Sequence, residues 1–405
     1  MAAVEVAAST RRRAISLSWL SYATYYLGRK SFGAIKLPLR RELGFDAGLL
    51  GAMDTVNLAA YAFGQFASGI VGDRVGSRRL VGIGMLLSAF ACAACGASST
   101  ALVLGAWCFV NGLAQSTGWP GTTRVVAEWT EPERRATVMG RWATCYQVGG
   151  FVATPLAGFA AARYGWRSAM FVPVALMALV GVVVLVRLPS AAAAPARGRP
   201  REPVARAQFD VFKNGALWLY GTSYFFIKLV RYALALWLPY YLATVEGYGV
   251  EKSAYVASAF DAGGVAGVIL IGRFADRSRR FNKPALSALW IALLVPVLFV
   301  YSRLGAGSAL VDVLVLALLG ALLFGPDSLL SGAAAQDLGG AAAPAMAVGF
   351  VNGLGSFGSV LQGLVVPPIA ARFGWTALFP ALAVFSLGAV LALVPVLGRR
   401  VPSAG

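Results

Sequence analysis

The chain has 405 residues and a net charge of +18; 58% of the residues are hydrophobic and only 13% are charged. Soluble proteins are typically about 45 to 50% apolar and about 25% charged, so this composition excludes most soluble classes and indicates a membrane protein. The sequence has no histidine, which excludes Ser-His-Asp catalysis and histidine-ligated metal centres.

Twelve apolar segments follow one another along the chain, each about as long as the 20 residues that a membrane helix needs. The first six cover residues 15–37, 47–71, 80–98, 100–127, 137–162 and 166–188. The second six cover residues 214–243, 251–274, 284–302, 308–331, 344–371 and 374–397.

The stretch between the two sets, residues 189–213, is rich in Pro, Ala and Arg, a composition typical of a linker. The sequence therefore predicts an all-α membrane protein with an N-terminal six-helix bundle (1–188), this linker, and a C-terminal six-helix bundle (214–405).

The positive charges indicate how the chain is oriented in the membrane. With the N-terminus placed inside, 22 of the 35 Lys and Arg residues fall in inside segments and 8, including Lys36, fall in outside loops. Cytoplasmic loops of membrane proteins are enriched in Lys and Arg. We therefore expect both termini and the linker to be cytoplasmic, in a monomer spanning the plasma (inner) membrane. The lipid bilayer then explains the net charge without a nucleic-acid partner.

Three landmarks recur in the two halves at nearly the same offset. They are 69–79 with 272–280, 164–173 with 373–381, and Arg29 with Arg231, at offsets of 203, 209 and 202 residues. Such parallel repeats are typical of transporters that bind their substrate between two halves.

Arg29 and Arg231 lie within predicted helices one and seven, where an Arg costs about 2.5 to 3.5 kcal/mol. Snorkelling or an internal salt bridge would explain one such residue, but two at matching repeat positions favour a wet central cavity. A guanidinium binds phosphate or carboxylate oxygens in bidentate fashion, which predicts an anionic substrate. Because the two like charges repel when the site is empty, we expect the loaded carrier to switch sides more readily, giving exchange by alternating access.

Three segments carry a family resemblance: YATYYLGRKSF at 22–32, WCFVNGLAQSTGWPGTTRVV at 107–126 and KLVRYALALWLPYYL at 228–242. They resemble the organophosphate:phosphate antiporter branch of the major facilitator superfamily, which includes glycerol-3-phosphate, hexose-phosphate and glucose-6-phosphate carriers. The resemblance implies the major facilitator fold, with twelve transmembrane helices in two pseudo-symmetric bundles. It also implies that Arg29 and Arg231 bind the phosphate.

Further residues receive roles from the resemblance. The implied aromatic lining is Tyr22, Tyr26, Tyr61 and Trp119, and the implied cytoplasmic gate is Asp73, Arg74, Asp276 and Arg277. The chain departs from the family at two supporting positions, where Gln65 replaces a lysine and Tyr146 replaces a histidine. Lys228, one helical turn before Arg231, adds a cation on the same helix face.

Two acids and one more cation complete the candidate set. Asp261 and Asp327 lie in the C-terminal half and can partner Lys228 or Arg231. We favour a structural ion pair for them, with a proton-coupling carboxylate or an acceptor for a substrate amino group as alternatives. Lys30 is a candidate for charge balance.

Paired glycines predict close helix packing in the C-terminal half. Gly263 and Gly267, and likewise Gly349 and Gly353, have the four-residue spacing typical of such contacts.

The sequence therefore predicts a secondary transporter that exchanges an organophosphate, or a related anion such as a phosphonate or a sugar acid, for inorganic phosphate. We expect no enzymatic activity, no cofactor and no metal. The alternatives are a proton-coupled organic-anion or drug transporter of the same fold and a transporter-like receptor for a sugar phosphate.

Overall fold

The computed structural model describes residues 2–131, 138–189, 211–277, 282–304, 308–339 and 344–398. Almost all of these residues are helical, as the sequence predicts. Most of the predicted linker, residues 190–210, lies outside the described residues, so its boundaries stay a prediction.

The chain divides into two compact units. Unit 1 comprises Met1–Gly198 together with Tyr248–Ser258, and unit 2 comprises Arg199–Gly247 together with Ala259–Gly405.

Seven helices build most of unit 1. They are α1 (Ala2–Leu43), α2 (Ala47–Val75), α3 (Ser77–Ala97), α4 (Ala101–Gln115), α5 (Gly118–Trp129), α6 (Thr144–Tyr164) and α7 (Ser168–Arg187). The most extensive contacts of α1 are with α6 and α7, and those of α2 are with α4. Asp46 caps α2, because its side chain accepts a 2.7 Å hydrogen bond from the backbone nitrogen of Leu49.

Unit 2 has a corresponding series of helices. They are α8 (Gly215–Thr244), α9 (Val250–Arg277), α10 (Lys283–Leu304), α11 (Ala309–Leu329), α12 (Ala335–Gly339), α13 (Pro344–Phe373) and α14 (Leu378–Leu393). A π-helical turn, Leu330–Ala334, joins α11 to α12. The most extensive contacts of α8 are with α13 and α14.

The two units repeat one close helix contact. A Cβ atom on Gly149 of α6 would lie 2.3 Å from the backbone oxygen of Ala23 in α1. A Cβ atom on Gly358 of α13 would lie 2.0 Å from the backbone oxygen of Phe225 in α8. Glycine is required at both positions because any side chain would separate the helices. The contact residues are offset by 209 and 202 positions, which matches the offsets of the sequence repeat.

The predicted close approach of paired glycines holds for one pair and is wrong for the other. Cβ atoms on Gly263 and Gly267 would lie 1.8 and 2.1 Å from backbone oxygens of α11. At Gly349 and Gly353, no described atom lies within 4 Å of such a Cβ. Spacing alone does not show which face of α13 meets a neighbour.

Eight helical stretches among the described residues are long and apolar enough to cross a membrane. All twelve predicted segments are helical where the structure describes them, but the fourth is divided between α4 and α5 at Ser116 and Thr117. The count of twelve membrane helices and the cytoplasmic termini stay predictions.

The assignment of Lys36 to a loop is wrong. Lys36, assigned to an outside loop, lies inside α1, which continues to Leu43. Its side chain is fully buried and forms a 2.5 Å ion pair with Asp54 of α2. Lys36 lies near the end of the first predicted segment, and the buried ion pair compensates its charge within the helix.

Candidate functional site

Arg29 lies in α1 with 9% of its surface exposed. Its Nε atom donates a 3.0 Å hydrogen bond to Oε1 of Gln115, the last residue of α4. Its guanidinium carbon lies 4.8 Å from the ring centroid of Tyr26 and 4.6 Å from that of Tyr61. Such cation–π contacts contribute about 0.5 to 2 kcal/mol each. A neutral amide and two aromatic faces therefore orient the guanidinium.

Gln115 is itself held from several sides. Its Nε2 atom donates to the backbone oxygen of Tyr25 at 3.2 Å and to Oγ of Ser88 at 3.3 Å, and Ser88 donates to Oδ1 of Asn111 at 2.7 Å. A Cβ on Gly28 would lie 3.0 Å from Nε2, so glycine leaves room for this amide. Gln115 was not predicted as a site residue. A glutamine within an apolar helix, here in the NGLAQ segment, is nevertheless a polar residue that indicates a functional position.

The predicted aromatic lining comes together in unit 1. The ring of Tyr22 lies 5.3 Å from Trp119 and 5.6 Å from Trp142, and the ring of Tyr26 lies 6.3 Å from Tyr146. Trp142 was not predicted, because its contact with Tyr22 depends on how two helices distant in sequence pack together. The cluster supplies rigid apolar surface with polar edges beside Arg29.

Two other predicted residues lie near this cluster along the helices. Gln65 is half-buried on α2, one turn beyond Tyr61, and Lys30 is buried in α1 with 5% exposed. Their parts in substrate binding or charge balance stay predictions.

Arg231 lies in α8 with 7% of its surface exposed and is paired with an acid. Its Nη1 atom donates a 2.7 Å hydrogen bond to Oδ2 of Asp327 in α11, whose side chain is 2% exposed. The guanidinium carbon lies 4.9 Å from the ring centroid of Tyr232 and 5.4 Å from that of Phe324. The structure therefore contains the ion pair expected for Asp327, and its role stays a prediction.

Asp327 lies three residues before the π-helical turn Leu330–Ala334. Such widened turns interrupt regular helix hydrogen bonding and occur often at functional sites. The turn lies next to the residue that holds Arg231, which marks α11 as the irregular helix of unit 2.

Lys228 lies on the same face of α8 as Arg231 but has different partners. Its Nζ atom donates to Oδ1 of Asn352 at 2.6 Å and to Oγ of Ser356 at 3.3 Å, both in α13. It also lies 5.2 Å from the ring centroid of Tyr224. Asn352 and Ser356 were not predicted, because one sequence does not show which face of α13 meets α8.

The remaining candidates are placed less fully. Asp261 is buried in α9 with 2% exposed, and its coupling role stays a prediction. Arg74 and Arg277 are exposed near the ends of α2 and α9. The side chains of Asp73 and Asp276 lie outside the described residues, so the cytoplasmic gate also stays a prediction.

The fold agrees with a comparison to known families. The sequence matches the family model of the Major Facilitator Superfamily over residues 18–363. The chain belongs to this superfamily. Membership confirms the predicted all-α membrane fold and makes the chain a multi-pass membrane transporter and not an enzyme.

Several superfamily members are similar over nearly the whole chain. The probable hexose phosphate transport protein of Chlamydia pneumoniae is 27% identical over 93% of this chain and 89% of that protein. The glycerol-3-phosphate transporter of Bacillus subtilis (strain 168) is 29% identical over 88% of this chain and 85% of that protein. These relatives confirm the resemblance to the organophosphate:phosphate antiporter branch.

A solved structure has a similar fold. It is a bacterial homologue of the human lysosomal transporter Spinster, in an inward-facing and unoccupied conformation. Its TM-score is 0.74 at 16% identity, and the match covers 95% of this chain and 94% of that chain.

Proposed function

We propose that the protein is a plasma-membrane antiporter that exchanges an organophosphate, or a related small organic anion, for inorganic phosphate. The observation that carries this proposal is the pair of buried arginines, Arg29 and Arg231, at corresponding positions of the repeat. The names of the relatives, which are hexose phosphate and glycerol-3-phosphate transporters, support the same substrate class.

The surroundings of Arg29 suit an anion receptor. Gln115 binds Nε and so sets the plane of the guanidinium, while Tyr26 and Tyr61 contact its faces. A preoriented guanidinium loses less entropy when it binds an anion, because its plane is already defined. The amide of Gln115 is neutral, so this contact orients the guanidinium without adding a negative charge that would compete with a bound phosphate.

Binding of a substrate anion to Arg231 requires a further step, because Arg231 already forms an ion pair with the carboxylate of Asp327. We infer that the substrate competes with this carboxylate for the guanidinium. A carboxylate presents two oxygens and one negative charge to Arg231, whereas a phosphate ester presents three oxygens and up to two negative charges. Asp327 then makes Arg231 selective for strongly charged anions.

Lys228 extends the anion site along α8. Its Nζ atom, held by hydrogen bonds to Asn352 and Ser356, places a second positive charge one helical turn from Arg231. Asn352 and Ser356 also offer donors and acceptors to the hydroxyl groups of a sugar or glycerol moiety.

Exchange rather than one-way transport follows from the cost of burying charge. Moving Arg29 through an occluded state without an anion leaves a cation in a medium of low dielectric constant. A bound anion removes this cost on each crossing, so alternating access proceeds with either anion bound.

A second candidate function is proton-coupled anion transport, which the Arg231–Asp327 pair also favours. A carboxylate that loses its cationic partner when the substrate binds is a natural site for a proton. In that case the proton gradient, and not internal phosphate, drives uptake.

Counterflow into proteoliposomes distinguishes the two functions. Liposomes loaded with phosphate, or with chloride as the matched control, receive labelled glucose-6-phosphate or glycerol-3-phosphate. We expect uptake only into phosphate-loaded liposomes, with no change on addition of a protonophore. Uptake that needs no internal phosphate and stops with the protonophore would establish the second function, and no uptake of either ester would refute the proposed substrate class.

A further inference from the structure

A second charged contact in unit 1 lies outside the proposed anion site. Lys36 of α1 and Asp54 of α2 form an ion pair of 2.5 Å, with side chains 0% and 3% exposed. Neither residue contributes to the roles described so far. Burial of an ion pair is costly, and apolar residues of similar size often stabilise a protein equally well, so stability alone does not explain this pair.

The Lys36–Asp54 pair lies on the same faces of α1 and α2 as the contact between Arg29 and Tyr61. Lys36 follows Arg29 by seven residues in α1, and Asp54 precedes Tyr61 by seven residues in α2. Seven residues are nearly two helical turns, so each helix presents both of its residues on one face. Lys36–Asp54 and Arg29–Tyr61 are therefore two side-chain contacts, about two turns apart, between the antiparallel helices α1 and α2.

Among the described residues, α1 and α2 pack less closely on each other than on other helices of unit 1. The main packing partners of α1 are α6 and α7, whereas α2 packs mainly on α4. Long side chains connect α1 and α2 at the Lys36–Asp54 and Arg29–Tyr61 contacts. Interlocking ridges and grooves are thus not the main link between α1 and α2, and a short charged contact is well suited to define their register.

We propose that Lys36 and Asp54 are positioning residues that fix the register of α1 against α2 and thereby hold Tyr61 against Arg29. The inference rests on the proposed function, because it gives the pair a role through the arginine that binds the anion. Neither Lys36 nor Asp54 touches the substrate in this account.

The variants separate register from stability. Lys36→Met with Asp54→Leu replaces the pair by apolar residues, and Lys36→Asp with Asp54→Lys restores it with reversed charges. The matched control is Arg124→Met with Glu128→Leu, which removes a 2.8 Å ion pair within the single helix α5. An ion pair within one helix has no influence on the register between two helices.

We expect the apolar double variant to fold with a melting temperature near that of the wild type. Its KM for inorganic phosphate rises roughly tenfold or more, because a misplacement of about 1 Å at a binding group costs up to about a hundredfold. The charge-reversed variant recovers most of this loss, and the control keeps the wild-type KM. A folded apolar double variant with unchanged KM would overturn the proposal.

A distance measurement tests the register without transport. Nitroxide labels at Leu20 of α1 and Phe63 of α2, which are 42% and 71% exposed, are placed in a background lacking the four cysteines. We expect the label distance to shift by about 1.5 Å or more, or its distribution to broaden, when the pair is apolar, since one residue of slip is about 1.5 Å. It should narrow again with reversed charges.

The distance measurement also separates the two proposals. If the wild type exchanges no phosphate, the proposed function fails while the label distances still decide the register. If the apolar double variant does not fold, the charge-reversed variant decides, because a folded protein with a broad distance distribution would refute a role of the pair in register.

Discussion

Arg29 and Arg231 occupy corresponding positions of the two halves, but their surroundings differ in charge. Each guanidinium lies beside two aromatic rings, with nearest ring centroids at 4.6 Å and 4.9 Å. The polar partner differs, since Arg29 donates to the neutral amide of Gln115 and Arg231 to the carboxylate of Asp327.

This difference gives the two halves different electrostatic roles. The amide of Gln115 contributes no negative charge to its contact with Arg29, whereas the carboxylate of Asp327 places a negative charge beside Arg231. We infer that Arg29 is the principal anchor for phosphate and that Arg231 discriminates between anions. The two halves share the position of the arginine, but its partner is neutral in one half and negatively charged in the other.

The largest expected effect is that of replacing the anchor. Arg29→Lys should weaken phosphate binding at least about 30-fold, or about 2 kcal/mol, because an ammonium lacks the bidentate fork and the planar contact with the rings. Arg231→Lys should also impair exchange severely, but less than Arg29→Lys. Counterflow of labelled phosphate measures both.

Arg303→Lys is the matched control for these substitutions, because Arg303 is exposed near the end of α10. It should exchange phosphate like the wild type. Normal exchange by both Arg29→Lys and Arg231→Lys would remove the two arginines from the site.

The next effect comes from making the surroundings of Arg29 like those of Arg231. Gln115→Glu places a carboxylate beside Arg29 and should weaken phosphate affinity by about 1 to 2 kcal/mol, roughly 5- to 30-fold. Gln115→Met is the matched control, since it loses the hydrogen bonds without adding charge. If Met and Glu weaken binding equally, the charge of the partner is not what distinguishes the two halves.

The sequence predicted the helices and the burial of Arg29 and Arg231 because both depend on local patterns. Apolar length marks each helix, and a charged residue within an apolar run marks Arg29 and Arg231. The repeat offsets, visible in the sequence, recur in the glycine contacts of Gly149 and Gly358.

The partners of these cations were harder to predict, because they depend on which helix faces meet. Gln115 lies in the quoted segment 107–126, and Asn352 lies between the paired glycines Gly349 and Gly353. Nothing local shows that they contact Arg29 and Lys228. Lys36 was assigned to a loop because its ion pair with Asp54 forms only when α1 and α2 fold together. Asp327 was recognised as a candidate partner, but two acids and two cations left the pairing open.

Phosphate affinity should increase, not decrease, when the carboxylate of Asp327 beside Arg231 is removed. Asp327→Asn removes the competing anion and should tighten phosphate binding roughly tenfold, or about 1.4 kcal/mol. Tighter binding should slow release, so the maximal exchange rate falls. Phosphate protection against thermal unfolding measures affinity separately from transport.

The same variant distinguishes competition from proton coupling. If wild-type uptake depends on a proton gradient and Asp327→Asn abolishes that dependence, Asp327 is a proton site. Unchanged affinity with unchanged exchange would show that the Arg231–Asp327 pair is purely structural.

The smallest expected effect concerns an acid of unit 2 outside the candidate site. Glu246 follows α8, and burial, with a smaller contribution from the charge of Asp312, raises the pKa of its carboxyl above 4.5. Among the described residues, its Oε2 atom is buried without a hydrogen-bond partner. The folded state therefore binds the proton more tightly than the unfolded state.

This preference makes stability decrease as the pH rises from about 4.5 through the raised pKa of Glu246. Glu246→Gln should flatten that decrease and raise the melting temperature at neutral pH, by no more than a few degrees because the residue is half-exposed. Glu251→Gln is the contrasting control, since Glu251 lies in the first turn of α9, where a negative charge stabilises the helix. It should lower the melting temperature at neutral pH. A Glu246→Gln protein whose melting temperature falls as steeply with pH as that of the wild type would show that this carboxyl does not contribute to the pH dependence.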